Sequence, residues 1–491
     1  MNRIALFIAL VALSSLNSYS QKPINRLTLD EVVQLAKDQS PQAILAKHQF
    51  RASYWEFRTY KAELLPSITL TGSALDYRRA LIGDLQKDGS YNYIEVNNNT
   101  TSLGFLLNQN IGLTGGKIYV NTSLDRTDYF KNDSSSYKSI PYEIGFSQPI
   151  FGFNRLKWSK KIEPIKFEEA KREYIQTIEG ISMEASRLFF ELILAQQNLK
   201  TANLNYANSD TLYKIAKGRY NIGTIAENEL LQMELSFLNA GSAVSEAEVD
   251  LQLKKSKMKS YLGLNDLYDL ELVIPEAIPA LEAKYDDVLA LAKMNNPKIL
   301  EFERQIIEAN RDVAQAKSER GFNATLGATY GINRDAEILK DAYANYNDLQ
   351  TLKVSLQIPI LDWGLGRGKV KMAQSRREVM RTTVDQAIVD FDQDVFLKVM
   401  QYNRQNGQVD LAKKADIISQ NRYNVTKERF LIGKIDVLDL NVAQSERDQA
   451  KQKYINVLSN FWQSYYQMRR ITLHNLETNQ PLKVDFEILL K

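Results

Sequence analysis

Two side chains that often carry out acid–base, nucleophilic or metal chemistry, cysteine and histidine, are almost absent from this 491-residue chain. There is no cysteine, which excludes disulfides, thiolate metal sites and a cysteine nucleophile. His48 and His474 are the two histidines, and they lie far apart in sequence without ligand-like neighbours, so no metal site is expected. Gly364 to Lys369 superficially resembles a phosphate-binding loop but lacks the Gly-x-x-x-x-Gly-Lys-Ser/Thr spacing. We therefore expect no enzyme activity, no metal and no cofactor.

Two acidic residues have a spacing that would suit ion conduction. Asp436 and Asp439 are three residues apart and would share one face of a helix. In a pore made of several chains they would form stacked acidic rings that favour cations, which makes them candidates for a pore gate. The alternative is that an acidic residue at a helix N-terminus stabilises the helix dipole.

Charge and the N-terminal segment restrict the possible partners. The chain has 62 Lys and Arg against 59 Asp and Glu, so nucleic acid is not an expected partner. Arg3, the apolar run from Ile4 to Leu13 and the small residues before Gln21 are typical of a secretory signal peptide over residues 1–20. No later stretch reaches about 18 uncharged apolar residues, so any membrane-spanning part would consist of β-strands. The absence of cysteine also excludes a lipidated N-terminal cysteine.

Proline spacing marks two long helical segments. No proline lies between residues 164 and 275 or between residues 359 and 481, and both intervals are rich in Ala, Leu, Gln, Glu and Lys. From Tyr174 to Tyr206 the apolar residues alternate at spacings of four and three. A sustained period of about 3.5 residues predicts coiled-coil packing of long helices.

Two other segments predict β-structure. Residues 66–151 and 322–362 are rich in Thr, Ser, Asn, Gly and Tyr, and their apolar residues alternate with a period of two, as at Ile68 and Leu70. The pattern predicts strands of about ten residues with one apolar and one polar face. Such strands suit a transmembrane barrel wall, although water-soluble barrels alternate in the same way.

The chain contains an internal repeat. Residues 30–37 align with residues 286–293 at an offset of 256, and the turn ending at Gly223 aligns with the turn ending at Gly433 at an offset of 210. The difference predicts that 46 residues are inserted in the first half, within about residues 76–139. Each half then follows the order helix, strand, strand, very long helix, turn and returning helix. About four strands per chain cannot close a barrel, so the barrel must be shared between subunits.

The insertion leaves the number of wall strands open. If the hairpin at residues 101–130 joins the wall, the barrel has six strands per chain. If it extends outward as a surface loop, the barrel has four. We expect the surface loop.

This arrangement resembles the TolC-type outer-membrane efflux proteins over residues 27 to about 486. The matching motifs are Leu-Thr-Leu-Asp-Glu at residues 27–31 with Pro41, Leu65-Pro66, Gln148 to Phe151, the Arg-aromatic-x-Ile-Gly turns at Gly223 and Gly433, and Asp-Val-Leu-Asp at residues 436–439. The resemblance implies an α+β membrane protein with long antiparallel coiled-coil helices and about four transmembrane β-strands per chain. Three chains would form a twelve-stranded barrel among the lipids of the outer membrane of a Gram-negative-type cell. A shared α-helical barrel would cross the periplasm, and its tips would bind a periplasmic adaptor of an inner-membrane pump.

Two groups of residues become candidate sites. The candidate adaptor-docking tips are Arg219, Tyr220, Gly223, Arg429, Phe430 and Gly433. For these, the alternatives are intramolecular packing and, for the glycines, a tight reversal of the chain. The candidate strand–helix junction at the membrane interface consists of Pro66, Pro149, Phe151, Trp158, Pro359 and Trp363. Aromatic rings prefer that interface, and plain hydrophobic packing is the alternative.

The sequence thus predicts a passive trimeric duct that exports small molecules or proteins within a tripartite efflux or type I secretion system. A periplasmic coiled-coil adaptor that bridges the two membranes is the alternative, disfavoured because two hairpins here alternate with strand pairs. The predicted parts are a signal peptide (1–20), N-terminal helices (21–65), barrel strands (66–151), coiled-coil helices (152–263, tip 218–226), an equatorial linker (264–280), second N-terminal helices (281–321), second barrel strands (322–362), second coiled-coil helices (363–475, tip 428–437) and a C-terminal equatorial segment (476–491).

Overall fold

The computed structural model describes residues 24–87, 89–265, 269–275, 277–279 and 281–490. The predicted signal peptide lies outside these residues. The chain divides into two compact units. The first unit comprises Met1–Phe50, Arg172–Asn296 and Phe391–Lys491, and the second comprises Arg51–Lys171 and Pro297–Asp390.

Long helices and an antiparallel sheet account for most of the described residues. The α-helices are Leu29–Gln39 (α1), Pro41–Glu63 (α2), Arg155–Asn221 (α3), Glu227–Leu262 (α4), Tyr285–Asn295 (α5), Pro297–Arg320 (α6), Leu365–Leu431 (α7), Val437–Thr472 (α8) and Phe486–Leu490 (α9). The strands are Ile24–Leu27 (β1), Ser67–Ser73 (β2), Tyr77–Leu85 (β3), Tyr91–Asn110 (β4), Lys117–Tyr129 (β5), Ser134–Ile150 (β6), Asp269–Leu272 (β7), Asn323–Ala336 (β8), Asn347–Gln357 (β9), His474–Asn475 (β10) and Gln480–Pro481 (β11).

The two halves of the chain contain helices of equal length. Helices α3 and α7 each have 67 residues, and the returning helices α4 and α8 each have 36. Pro164 lies inside α3, about two and a half turns beyond its start. The helices therefore follow one another in the same order and with closely matching lengths before and after residue 285, whereas the number of strands between them differs.

The sheet lies in the second unit and is wider than the sequence predicted. Its order is β2-β4-β5-β6-β8-β9, and β3 also pairs with β4, so seven strands take part. The prediction of about four strands is wrong because the insertion itself forms strands. Its β4–β5 hairpin, predicted as a surface loop over residues 101–130, lies between β2 and β6. There both of its outer edges find backbone hydrogen-bonding partners, which a protruding loop would leave to water.

The helical part of the second unit combines aromatic and ionic contacts. The rings of Phe57 and Phe167 stack with centroids 4.6 Å apart. Arg304 makes a bidentate pair with Glu169, with N–O distances of 2.7 and 3.0 Å, and also bonds Glu308 on its own helix. These contacts join α2, α3 and α6 within this unit.

The first unit has a large apolar core that includes a buried ionic cluster around Glu179. Phe189, Tyr402 and Phe461 are among its largest fully buried side chains. Glu179 is also buried, and it accepts hydrogen bonds from Arg469 at 2.8 and 3.1 Å and from Lys37 at 3.1 Å. A buried carboxylate needs such partners because water cannot solvate it.

Candidate functional site

Both helical hairpins end in the same turn. Gly223 and Gly433 have φ angles of 74° and 73°, the left-handed region that favours glycine. In each turn the glycine N–H donates to the carbonyl three residues earlier at 2.9 Å. The N–H of the following residue, Thr224 or Lys434, donates to the carbonyl five residues earlier at 3.0 Å. The two glycines thus have a clear local role, which is to close the helix ends.

Arg219 connects the two tips within one chain. Its Nη2 donates to the carbonyl oxygen of Leu431 at 3.1 Å. Its guanidinium carbon also lies 5.9 Å from the centroid of the Phe430 ring. In this structure the arginine is therefore engaged in an intramolecular contact.

Phe430 belongs to the apolar core below the tips, since only 6% of it is exposed. It packs in a cluster with Leu212, Ala216, Met233, Tyr423, Val437, Leu440 and Ala443. Tyr220 and Arg429, in contrast, are exposed. So are Ile222 and Ile432, which directly precede the turn glycines and were not selected from the sequence. Their repeated place in the Ile-Gly motif was a signal that could have identified them.

A cavity of about 520 Å³ lies between the tips. Arg219, Glu229, Lys434 and Asp436 contribute charged groups to its lining. Phe430 forms part of its apolar wall. Charges of both signs beside apolar surface suit contact with a protein segment better than binding of one simple ion.

Asp436 caps the helix that follows the second turn. Its Oδ1 accepts a hydrogen bond from the backbone N–H of Asp439 at 2.9 Å, and both side chains are exposed. At the aligned position of the first turn stands Ala226, which has no side-chain acceptor. Asp436 thus lies at a helix N-terminus, as the alternative from sequence supposed, and there it caps a backbone N–H. This capping does not conflict with a gating role, because the capping carboxylates remain at the surface.

A polar network below the tips, next to this apolar cluster, joins the two hairpins, and the sequence analysis did not identify it. Arg447 is only 8% exposed, and its Nη2 donates to Oδ1 of Asn205 at 2.7 Å. Its guanidinium carbon lies 4.1 Å from the ring centroid of Tyr423. Asn205 donates to Asp448 at 2.9 Å, and Asn208 donates to the Tyr423 hydroxyl at 3.1 Å. Burial raises the pKa of Tyr423, so the hydroxyl stays protonated at neutral pH.

The predicted strand–helix junction contains two residues with unusual backbone. Phe151 and Trp363 have φ angles of 65° and 53°, although bulky residues rarely adopt this region. Trp363 is 90% exposed, while Phe151 contacts Phe322 with ring centroids 5.9 Å apart. The Phe151 carbonyl also accepts a hydrogen bond from Ser318 Oγ at 3.0 Å. Phe151 thus packs against another ring, whereas the Trp363 ring is almost fully exposed in the single chain.

The remaining junction residues occupy the ends of strands and helices. Pro66 and Pro359 lie in the links next to β2 and β9, and Pro149 is the penultimate residue of β6. Trp158 lies in the first turn of α3, where the Lys161 ammonium is 5.3 Å from its ring centroid. The prolines mark strand ends, where a missing N–H removes little of the hydrogen-bond ladder.

No group of three or more His, Asp or Glu side chains in the part of the chain that the structure describes is arranged to hold a metal ion. Among the helices of the same residues, none is sufficiently long and apolar to cross a membrane.

Fold and tips together define a class of α+β protein in which an antiparallel sheet with an exposed apolar face alternates with long helical hairpins. Comparison with known proteins gives the family. The model of the family "Outer membrane efflux protein" matches residues 32–264 and 288–472. The chain belongs to the outer membrane efflux protein family.

Individual relatives are distant but similar over their full length. Outer membrane protein TolC of Vibrio cholerae is 22% identical over 412 residues, which cover 81% of this chain and 89% of that protein. The crystal structure of the CmeC outer membrane channel of Campylobacter jejuni has a TM-score of 0.66 at 15% identity, covering 94% of this chain and 88% of that chain. The open state of the MtrE outer membrane channel of Neisseria gonorrhoeae has a TM-score of 0.60 at 13% identity, covering 93% and 91%. These structures share the fold.

Proposed function

We propose that three copies of this chain form a passive export duct in the outer membrane. The duct would serve a tripartite efflux or type I secretion system, with a periplasmic adaptor and an inner-membrane pump as partners. The chain itself would perform no catalysis and need no cofactor, since energy would come from the pump.

One observation carries this proposal, namely the apolar face that the sheet leaves uncovered. Leu70, Ile144 and Leu352 come from three different strands of the sheet and are all exposed in the single chain. A contiguous apolar surface of this kind is costly in water but favourable against lipid. A periplasmic adaptor, the alternative function, would be surrounded by water and would leave this apolar face without lipid to cover it.

Conductance in planar bilayers tests the duct and its gate. Purified wild-type protein should give small, cation-selective currents, because acidic rings at Asp436 and Asp439 would line the constriction. The double variant Asp436→Ala/Asp439→Ala should conduct more strongly or lose cation selectivity. The control Glu227→Ala removes an acid from the first turn of α4 at the other tip and should leave both properties unchanged. Correct membrane insertion with identical currents in all three proteins would contradict the gate.

Crosslinking tests the docking tips. Exposed residues beside both turns, including Tyr220, Ile222 and Arg429, would contact the adaptor. The cysteine-free chain allows single cysteines at Asn221 or Leu431, which should crosslink to an adaptor in intact cells. A cysteine at the exposed Lys200, well before the tip on α3, is the matched control. Equal crosslinking at Lys200 and at the tips would argue against docking there.

A further inference from the structure

We propose that each chain contributes six adjacent strands to the membrane wall, so that three chains enclose an eighteen-stranded barrel. The resemblance to the efflux family implied twelve strands. This inference rests on the proposed function, because it takes the sheet as the membrane part of a trimer. It concerns the inserted strands β4 and β5, which no four-strand wall would include.

The sheet is six strands wide because β2 and β3 occupy the same edge of β4. Strand β2 pairs with residues 102–108 of β4, and β3 pairs with residues 91–99. Strand β4 has 20 residues, whereas a tilted strand crosses a bilayer with about 9–11 residues. The β3–β4 end therefore extends beyond the wall, while residues 102–108 lie within it beside β2. The wall then contains six strands per chain, namely β2, β4, β5, β6, β8 and β9.

The inserted strands continue the apolar face of their neighbours. One row of directly paired residues runs Ile68 on β2, Leu107 on β4, Val120 on β5, Ile144 on β6 and Tyr330 on β8. Every member is apolar or aromatic, and the residues on β4 and β5 are in register with those on either side. A hairpin made for water would not repeat the apolar alternation of the wall at these positions.

A second row shows the same continuity nearer the helices. Ile118 on β5 pairs with Phe146 on β6, Phe146 with Ala328 on β8, and Ala328 with Leu352 on β9. Ile118 and Leu352 are exposed, as is Phe105 on the same face of β4. The β4 residue in this second row is Gln109, so here the apolar surface runs from β5 to β9, and β4 contributes to it at Phe105 and Leu107.

The opposite face is polar across the same strands. In one row Asn108, Tyr119, Gly145, Thr329 and Thr351 follow one another from β4 to β9. A cavity of about 410 Å³ lies on this side. Its lining includes Asn108, Lys117, Tyr119, Ser147, Lys353 and Ser355. A polar concave face opposite an apolar face is the arrangement of a water-filled barrel, and β4 and β5 contribute to both faces.

The sheet edges leave a defined way to close the wall. Among the described residues, β2 and β9 each pair with sheet strands on one side only. Free strand edges cannot face lipid, so β9 of one chain would pair with β2 of the next. Three chains joined in this way close a ring of eighteen strands, and because each chain contributes an even number, every neighbouring pair is antiparallel.

The additional strands change the width of the duct. With strands about 4.8 Å apart and tilted by about 40°, eighteen strands form a backbone cylinder about 36 Å across, against about 24 Å for twelve. A single α-helix with its side chains is about 10–12 Å wide. The wall would thus admit a folded helical hairpin, and selection by size would have to occur elsewhere in the duct.

Single cysteines test where the inserted strands lie. Nitroxide spin labels at Phe105→Cys and Ile118→Cys probe the apolar face of β4 and β5, and labels at Ile144→Cys and Leu352→Cys probe strands that form the wall in either arrangement. Asn121→Cys on the polar face of β5 is the matched control. In trimers reconstituted into phosphatidylcholine vesicles, the four apolar-face labels should collide mainly with oxygen, which concentrates in lipid. The Asn121 label should collide mainly with a water-soluble nickel chelate.

The outcomes separate this inference from the proposed function. If Ile144 and Leu352 report lipid while Phe105 and Ile118 report water, the eighteen-stranded wall is refuted and the duct stands. If none of the four reports lipid, the duct fails as well. Electron cryomicroscopy of the wild-type trimer gives an independent count, in which eighteen wall strands support the inference and twelve overturn it.

Discussion

Replacing Arg447 with methionine should loosen the contact between the two helical hairpins. The substitution keeps most of the side-chain length and removes the guanidinium. The lost contacts are the hydrogen bond to Asn205 at 2.7 Å, the ring contact with Tyr423 at 4.1 Å and the ion pair with Asp448 at 2.6 Å. A hydrogen bond to a charged group contributes about 1.5–3 kcal/mol and a partly desolvated cation–π contact about 0.5–2 kcal/mol. The expected loss is about 3 kcal/mol in local stability, roughly 100-fold in the opening equilibrium.

Hydrogen–deuterium exchange of the detergent-solubilised trimer measures this loss. Peptides that contain Asn205, Asn208 or Tyr423 should exchange about 100-fold faster in the variant, because local opening becomes more frequent. The control is Arg422→Met, which removes an exposed ion pair with Glu446 whose side chains are 55% and 44% accessible. Exposed pairs contribute about 0–1 kcal/mol, so exchange should rise less than about fivefold.

The comparison would refute the reasoning if both variants exchanged alike. In that case the cost of burying Arg447 would cancel the gain from its contacts, as desolvation can do for buried charges. The network would then specify how the hairpins pair without adding stability.

Five further substitutions have expected signs that follow from local structure. Gly433→Ala should destabilise the tip by about 1 kcal/mol because of its left-handed φ, whereas Gly407→Ala in the interior of α7 should stabilise by up to about 1 kcal/mol, as measured by denaturant unfolding. Asp436→Ala should cost about 1 kcal/mol of helix capping, and Ala226→Asp should gain a similar cap at the other tip, both read from exchange in the first turns of the two helices. Burial raises the pKa of Glu163, so its charge at neutral pH favours the unfolded chain. Glu163→Gln should therefore raise the melting temperature at pH 7, and the difference should disappear below about pH 4, where the carboxyl is protonated in both states.

The tips show how local patterns can be predicted from sequence. The Ile-Gly turns at Gly223 and Gly433 lie where the repeat placed them, because a helix that must reverse within a few residues needs a left-handed position. Asp436 was also recognisable as a helix-start acid, since capping depends on residues only three apart.

The burial of individual side chains at the same tips could not be predicted from such local patterns. Phe430 and Tyr220 occupy aligned positions in the repeat, yet Phe430 is buried and Tyr220 is exposed. The difference arises because α3, α4, α7 and α8 pack asymmetrically around Phe430, and no local period distinguishes the two residues.

The sequence by itself determined the long helices, the reversing turns, the repeat and the alternating strands, because each follows from the period of apolar residues or from glycine and proline geometry within about ten residues. The tertiary structure alone decided that β4 and β5 lie inside the sheet. Strand pairing joins distant segments, and the alternation of apolar and polar residues does not indicate which strands pair. The tertiary structure also decided that Arg447 meets Asn205, 242 residues away. Contacts of this kind depend on how whole hairpins pack, and they carry no signature in the spacing of neighbouring residues.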